Sequence, residues 1–364
     1  MKKLTLFLFS LFLWGGYLLN NKDINFTYLT KSTNHKTQTI QELKSISIPM
    51  KQGVLSAHSS STISLNNDYL LSVFFAGSKE GAKDVAIYAS IYQGTNYLEP
   101  FALITREKLM KDSKEYIKKI GNPTLVKTDN KIHLFVVGVS FGGWANSKIY
   151  HYISSIDTID FKFQKVLHLS PFANISNLVR ANAIYVNLDK EFGFLLPIYH
   201  ELANKYPLAL VFNNSGELLK IKKLTNAKDL FQPSVVAIND KLALFAFRSS
   251  KSANYDFYTM TCDNLLNCND LTKTNLKNYD NSINLFKVNN DIFLLFNSDK
   301  DGSRNTLSLA IMKDYNDFHR ILDIDKGKEM SYASVFISDN KAHITYTHNR
   351  DFIQYKQFLF NKKD

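Results

Sequence analysis

Beyond residue 55 the chain alternates between short apolar runs and polar turns in one recurring arrangement. Residues 61–65 are followed by 69–75, 124–127 by 132–139, and 183–187 by 192–198. In the same way 234–238 precede 242–247, 284–288 precede 292–296, and 334–337 precede 342–346. The intervening turns are Asn66-Asn67-Asp68, Asp129-Asn130-Lys131, Asp189-Lys190, Asn239-Asp240-Lys241, Asn289-Asn290-Asp291 and Ser338-Asp339-Asn340. Asn and Asp tolerate positive φ and bond their own backbone, which favours tight hairpins. Two further strand-like runs follow each hairpin, as at 85–92 and 97–104. Units start near residues 58, 121, 180, 231, 281 and 331, so four strands recur about every fifty residues, the repeat of a propeller blade. The pattern predicts an all-β fold, a six-bladed β-propeller over residues 55–361. A stretch around 106–120 reads as a short helix, too little for an α/β sheet.

The start of the chain breaks this pattern. Met1-Lys2-Lys3 precedes an apolar run over residues 4–19, interrupted by Thr5, Ser10, Gly15 and Gly16. A basic start and a run of this length fit a secretory signal, slightly short of the about 20 residues that span a bilayer with ease. Residues 1–20 are therefore read as a signal peptide or as an uncleaved inner-membrane anchor that tethers the chain through 4–19. Lys2 and Lys3 direct the remainder to the periplasmic or extracellular side. Residues 21–54 are polar without strong periodicity and read as a stalk and lead-in. Within them Asn25-Phe26-Thr27, with Asp23 upstream, matches an N-glycosylation acceptor.

Composition adds little beyond this. With 27 Phe and 19 Tyr against 7 Pro, the chain is rich in strand formers. Its two cysteines, Cys262 and Cys268, either close a small disulfide loop or stand as free thiols, and no partner ligands at zinc spacing accompany them. The net charge of +11 suits an anionic partner. Because the lysines are scattered and no nucleic-acid motif joins them, an acidic glycan is expected rather than nucleic acid. No Gly-rich phosphate loop precedes a helix, so neither nucleotide, metal nor other cofactor is expected.

In a propeller the first strand of each blade lies nearest the axis. Antiparallel pairing sets the entry of that strand beside the exit of the second, so each blade aims two short segments at one mouth. The entries hold His58, Asn122, Arg180, Gln232, Asn281 with Ser282, and Tyr332. The exits hold Lys79, Glu80, Trp144, Tyr199, His200, Glu201, Arg248, Asn297, His348 and Arg350. Loop residues at such a rim are where binding groups are usually placed.

Several of these segments resemble the bacterial sialidase-like BNR-repeat proteins. They include Ala57-His58-Ser59-Ser60-Ser61-Thr62-Ile63, Phe75-Ala76-Gly77-Ser78-Lys79-Glu80-Gly81, Gly121-Asn122-Pro123, Leu196-Pro197-Ile198-Tyr199-His200-Glu201 and Gln232-Pro233-Ser234. Ser303-Arg304-Asn305-Thr306 and Ser331-Tyr332 continue the match. The turns Ser90-x-x-x-Gly94-x-x-Tyr97 and Asn214-x-Gly216-x-x-Leu219 look like worn Asp boxes of that group.

The resemblance implies a sialidase-like site, in which three arginines grip a sugar carboxylate, a Tyr paired with a Glu attacks the anomeric carbon, and an Asp is the acid/base. Guanidinium groups bind carboxylates bidentately, and a neutral phenol is not repelled by an acidic sugar. By this likeness Tyr332 is the nucleophile, Asp84 the acid/base, and Arg248 and Arg304 two of the arginines. His58 stands at the first arginine's position and Gln232 at that of the activating Glu. Gln cannot take a proton, which leaves the phenol near its usual pKa of about 10. Glu201 or Glu329 would have to replace it. Three readings therefore stand: an exported hydrolase of an acidic, sialic-acid-like glycan; a lyase acting on uronic-acid glycans; and a non-catalytic glycan-binding propeller.

Overall fold

The computed structural model describes residues 24–30, 35–66, 69–170, 174–189 and 191–362. The apolar run at 4–19, and Asn67, Asp68 and Lys190 of the expected turns, lie outside the described residues. Six antiparallel sheets form the six blades of a propeller. Blade one comprises Ser56–Ser64, Tyr69–Gly77, Ala86–Gln93 and Phe101–Ile104. Blade two comprises Lys119–Lys127, Lys131–Val139, Ser147–Ser155 and Lys162–Val166. In blade three the inner position is shared by Asn177–Val179 and Ile184–Leu188, followed by Phe192–His200, Tyr206–Asn213 and Leu218–Lys223. Blade four runs Leu230–Ala237, Leu242–Ser249, Asp256–Asp263 and Thr272–Lys277. Blade five runs Asn284–Val288, Asp291–Asn297, Thr306–Asp314 and Asp317–Lys326. Blade six has Met330–Ser338, Lys341–His348 and Phe352–Lys362, completed by Thr37–Ser47 from the other end of the chain.

The hydrophobic runs that announced the hairpins are the second strands, sandwiched between neighbouring blades. Lys131–Val139 is buried at every position after its first residue. A strand covered on both faces reads as a continuous apolar run, not as an alternation. One apolar cluster fills each of the six seams between blades. Residues such as Phe135, Phe194, Phe245 and Tyr346 are fully buried there, each stabilising the ring by about 1.5–3 kcal/mol through apolar burial. The hairpin chemistry is as expected: Asn66 Oδ1 accepts from the Tyr69 N–H at 3.1 Å and Asn239 Oδ1 from the Lys241 N–H at 2.9 Å. Asn289 and Asp339 take left-handed φ of 55° and 53°. Cys262 and Cys268 are joined as a disulfide.

Two features differ from the sequence reading. The expected stalk at 21–54 supplies two strands: Phe26–Tyr28 pairs with the inner edge of blade three, and Thr37–Ser47 is the outer strand of blade six. Thr37–Ser47 is an edge strand with one partner and is largely exposed, so its sequence carries polar residues and almost no apolar signal. The helix spans only Arg106–Ser113, with Thr105 Oγ1 accepting from the Lys108 N–H at its start. It stops because Lys114 turns left-handed at φ 57° and Lys119 already belongs to blade two.

Candidate functional site

The inner strands of blades one, four and six share one irregularity. Their registers shift between His58 and Ser61, Phe231 and Ser234, and Ser331 and Ser334, so two residues oppose one. The first extra residue of each bulge is Ser59, Gln232 or Tyr332, with φ of 55°, 44° and 54°. A left-handed non-glycine residue costs roughly 1–2 kcal/mol, and bulges beside active sites re-aim side chains. Here they turn Gln232 and Tyr332 toward the same place.

Around the Tyr332 phenol the entry and exit segments of four blades meet. Arg248 Nη1 donates to the phenol oxygen at 3.2 Å and to Gln232 Oε1 at 3.2 Å. Arg248 Nε donates to Asp280 Oδ1 at 2.8 Å. Gln232 Nε2 in turn donates to the Tyr199 hydroxyl at 3.4 Å. The guanidinium of Arg180 lies 5.0 Å from the Tyr332 ring centroid, and that of Arg304 5.6 Å from it. The His58 ring packs against the same ring at 4.4 Å. Burial works to raise the phenol's pKa, but Arg248, Arg304 and Arg180 outweigh it and hold the group below the ordinary tyrosine value. His58 is driven the other way, far below the normal histidine value, first by burial and then by Arg350, Arg304, Arg180 and Arg248. It is neutral at neutral pH.

A cavity of about 180 Å³ opens beside the phenol, lined by His58, Glu80, Asn122, Trp144, Tyr199, Glu201, Arg248 and Tyr332 together with Val137 and Leu178. Gly121 makes room for this wall, since a Cβ there would meet the Trp144 ring at 2.6 Å. Glu201 is the one cavity carboxyl pushed up: burial raises it, Lys205 and Arg248 oppose, and Asp280 adds to the rise. The cavity thus holds a phenol pulled down and a carboxylic acid pushed up. Such a split is how proteins prepare a nucleophile or base and an acid side by side.

Other candidates fall elsewhere. Asp84 is exposed and does not line the cavity; its carboxylate accepts from the Ser78 N–H and hydroxyl, each at 2.8 Å. Slight burial notwithstanding, those bonds hold its pKa below normal, so Asp84 ties down the loop before the third strand. Lys79 is exposed beyond the cavity wall. His200 stacks on Tyr206 at 4.7 Å, away from the cavity. Asn297 is buried and donates to the carbonyls of Thr306 and Met330 at 3.1 and 2.7 Å, fixing the entry to blade six. Arg350 is not free to grip a ligand: it donates to Glu329 at 2.6 Å and to Glu80. Glu329 also accepts from Arg304 at 3.3 Å, far from any role as base to the phenol. Arg304 is further held by Asn281 Oδ1 at 2.8 Å. Sequence reasoning missed Asp280, the partner of Arg248. The available signal was its place in the same entry segment as Asn281.

Likeness to known proteins bears on the family and the fold. The profile of the BNR repeat-like domain matches residues 68–344. No curated protein matches the sequence. A Dyadobacter fermentans protein of unknown function superposes with a TM-score of 0.67 at 11% identity, covering 88% of this chain and 99% of that one. The Trypanosoma rangeli sialidase gives 0.62 at 10% identity, covering 91% of this chain and 60% of that longer protein. The Penicillium chrysogenum alpha-L-arabinanase complexed with arabinobiose gives 0.59 at 10% identity, covering 87% and 98%. At such identities the solved structures speak for the fold, a propeller like those of glycoside hydrolases. Matched over most of its length and built of six blades, the chain belongs to the BNR repeat-like domain family.

Proposed function

We propose that this propeller is a glycoside hydrolase acting on an acidic glycan, exported from the cytoplasm, with Tyr332 as nucleophile and Glu201 as proton donor. One observation carries the reading: the phenol that accepts from Arg248 at 3.2 Å shares its cavity with a carboxyl group whose pKa is raised. Arg248 is the guanidinium on the cavity wall, and with Nε held by Asp280 and Nη1 by Gln232 and the phenol it has Nη2 to offer a sugar carboxylate. The Trypanosoma rangeli sialidase has been solved in complex with sialic acid, and an acidic sugar of that kind brings the carboxylate that a guanidinium on the cavity wall can bind. In the first step the phenolate oxygen bonds to the anomeric carbon while Glu201 gives its proton to the departing glycosidic oxygen. In the second, the Glu201 carboxylate takes a proton from water, the hydroxyl adds to the anomeric carbon, and the Tyr332 oxygen leaves. Glu201 takes the place of Asp84 in the sequence reading, because Asp84 faces solvent and Ser78.

A non-catalytic glycan-binding propeller is the second reading, favoured by Gln232. Among the described residues no carboxylate hydrogen-bonds the Tyr332 phenol, and the amide next to it cannot accept a proton. Release of 4-methylumbelliferone from its glycosides of sialic and uronic acids separates the two. The hydrolase reading expects turnover, reduced about 10³-fold or more in Tyr332→Phe, with binding by calorimetry little changed. Binding without turnover establishes the second reading. Neither binding nor turnover removes both.

A further inference from the structure

Three guanidinium groups surround Tyr332, and only two have an anion. Arg248 is paired with Asp280 at 2.8 Å, and Arg304 with Glu329 at 3.3 Å. Arg180 is 1% exposed and has no carboxylate partner among the described residues. Its one hydrogen bond runs from Nη2 to the carbonyl of Ala333 at 2.7 Å, the residue after Tyr332, while Nε and Nη1 are buried without an acceptor. What faces this cation is the Tyr332 ring at 5.0 Å.

A structural arginine buried in this way is a poor choice. Desolvating a guanidinium is costly unless a charge or a full set of acceptors compensates, and an apolar side chain of similar size does the packing better. The arrangement balances once Tyr332 carries the negative charge. We propose that Arg180 is a buried positioning residue that, together with Arg248 and Arg304, stabilises Tyr332 as a phenolate. It thereby takes over the task a carboxylate base performs for a neutral tyrosine nucleophile, a task Gln232 cannot do. This rests on Tyr332 being the nucleophile of the reading above.

The groups facing the phenol from each blade agree with that assignment. Blade one presents His58, which is neutral, and Glu80, which is engaged with Arg350. Blade three presents Arg180, Tyr199 and Glu201; blade four presents Gln232 and Arg248; Arg304 comes from the loop of blade five. The two acids nearest the arginines, Asp280 and Glu329, are each engaged with a guanidinium. Burial pushes Arg180 itself down to about 10, against the pull of Tyr332 and Tyr199, so it stays cationic at neutral pH.

The test is a titration of one phenol in the full-length protein. Tyrosinate absorbance near 295 nm is followed against pH for the wild type and for Tyr332→Phe, and the difference isolates Tyr332. The expected result is an ionisation below the ordinary tyrosine value of about 10. Arg180→Met moves it up by about one unit or more, and Arg180→Lys, which keeps the charge, restores most of the shift. A merely structural Arg180 leaves the titration of this phenol unmoved. Circular dichroism selects folded variants, and the charge-free Arg180→Gln serves if Arg180→Met does not fold. A wild-type phenol titrating at or above about 10, or a folded charge-free variant with an unchanged titration, overturns the proposal. A shifted phenol in a protein that turns over no acidic glycoside leaves the role of Arg180 standing and removes the hydrolase reading instead.

Discussion

At the seam of blades two and three, away from the mouth, lies a second group of buried titratable side chains. His133 Nδ1 and His151 Nε2 are 3.0 Å apart, and Thr128 Oγ1 meets His133 Nε2 at 3.2 Å. Phe135 stacks on His151 at 4.5 Å, Phe194 lies 5.1 Å from His133, and Gly216 leaves the rings the space a Cβ would take at 2.6 Å. Both histidines are depressed: His133 to about 4, first by burial and then by Lys131 and Lys165, and His151 well below the normal value, first by burial and then by His133 and Lys165. Around Tyr332 only Arg180 is buried as completely, Arg248 and Arg304 keep some exposure, and Asp280, Glu329 and an aromatic ring stand against the three guanidinium groups. Desolvation by itself empties a site of charge. A site that keeps charge while dry has been supplied with counter-groups, and that is where stored electrostatic work is available for chemistry.

Removing a group from either cluster breaks this contrast. The largest effect is expected from Glu201→Gln, which removes the one raised carboxyl of the cavity. Turnover of an acidic aryl glycoside should fall about 10²- to 10⁴-fold, with the alkaline limb, set by loss of the Glu201 proton, gone from the pH profile of the remaining rate. Arg248→Met comes next. It leaves Asp280 and Gln232 without their donor and removes the cavity-facing guanidinium, so calorimetric affinity for an acidic sugar should drop by about 1.5–3 kcal/mol.

The histidine pair gives an effect of similar size in stability. The folded pKa of His133, about 4, lies below the unfolded value near 6.5, so the unfolded chain binds more protons. Stability is complete above about pH 6.5 and is lost as pH falls toward 4. From His133 alone the loss at pH 5 is about 2 kcal/mol, readable in urea midpoints, and a His133→Phe, His151→Phe double variant should flatten that slope. The smallest effect is expected from Asp84→Asn. Because that side chain only secures the Ser78 loop, turnover should change less than about threefold, whereas a true acid/base would cost the 10²-fold or more expected of Glu201.

Much of the ring was legible because its signals are local. Asn and Asp at the hairpin tips and doubly covered second strands such as Lys131–Val139 announce themselves within a few residues. The convergence of Arg180, Arg248 and Tyr332 followed from antiparallel geometry, whereas Arg304 came only from the family resemblance. What stayed hidden depends on partners distant along the chain. Thr37–Ser47 is polar because it is an edge, and only Phe352–Lys362 makes it a strand. The left-handed bulges at Gln232 and Tyr332 use residues without a glycine to betray them. Asp84 shows no difference in sequence between a proton donor and a loop tie, and Arg350 looks like a ligand-binding arginine until Glu80 and Glu329 are seen to occupy it.

The blade that carries Tyr332 is sewn together from the two ends of the polypeptide. A growing chain that still lacks residues 352–362 has no third strand in that sector, and its early segment 37–47 waits without a mate. The seating of Tyr332 in its blade therefore depends on residues 352–362, and a cut between them and Lys341–His348 removes that support while leaving most of the other five blades intact.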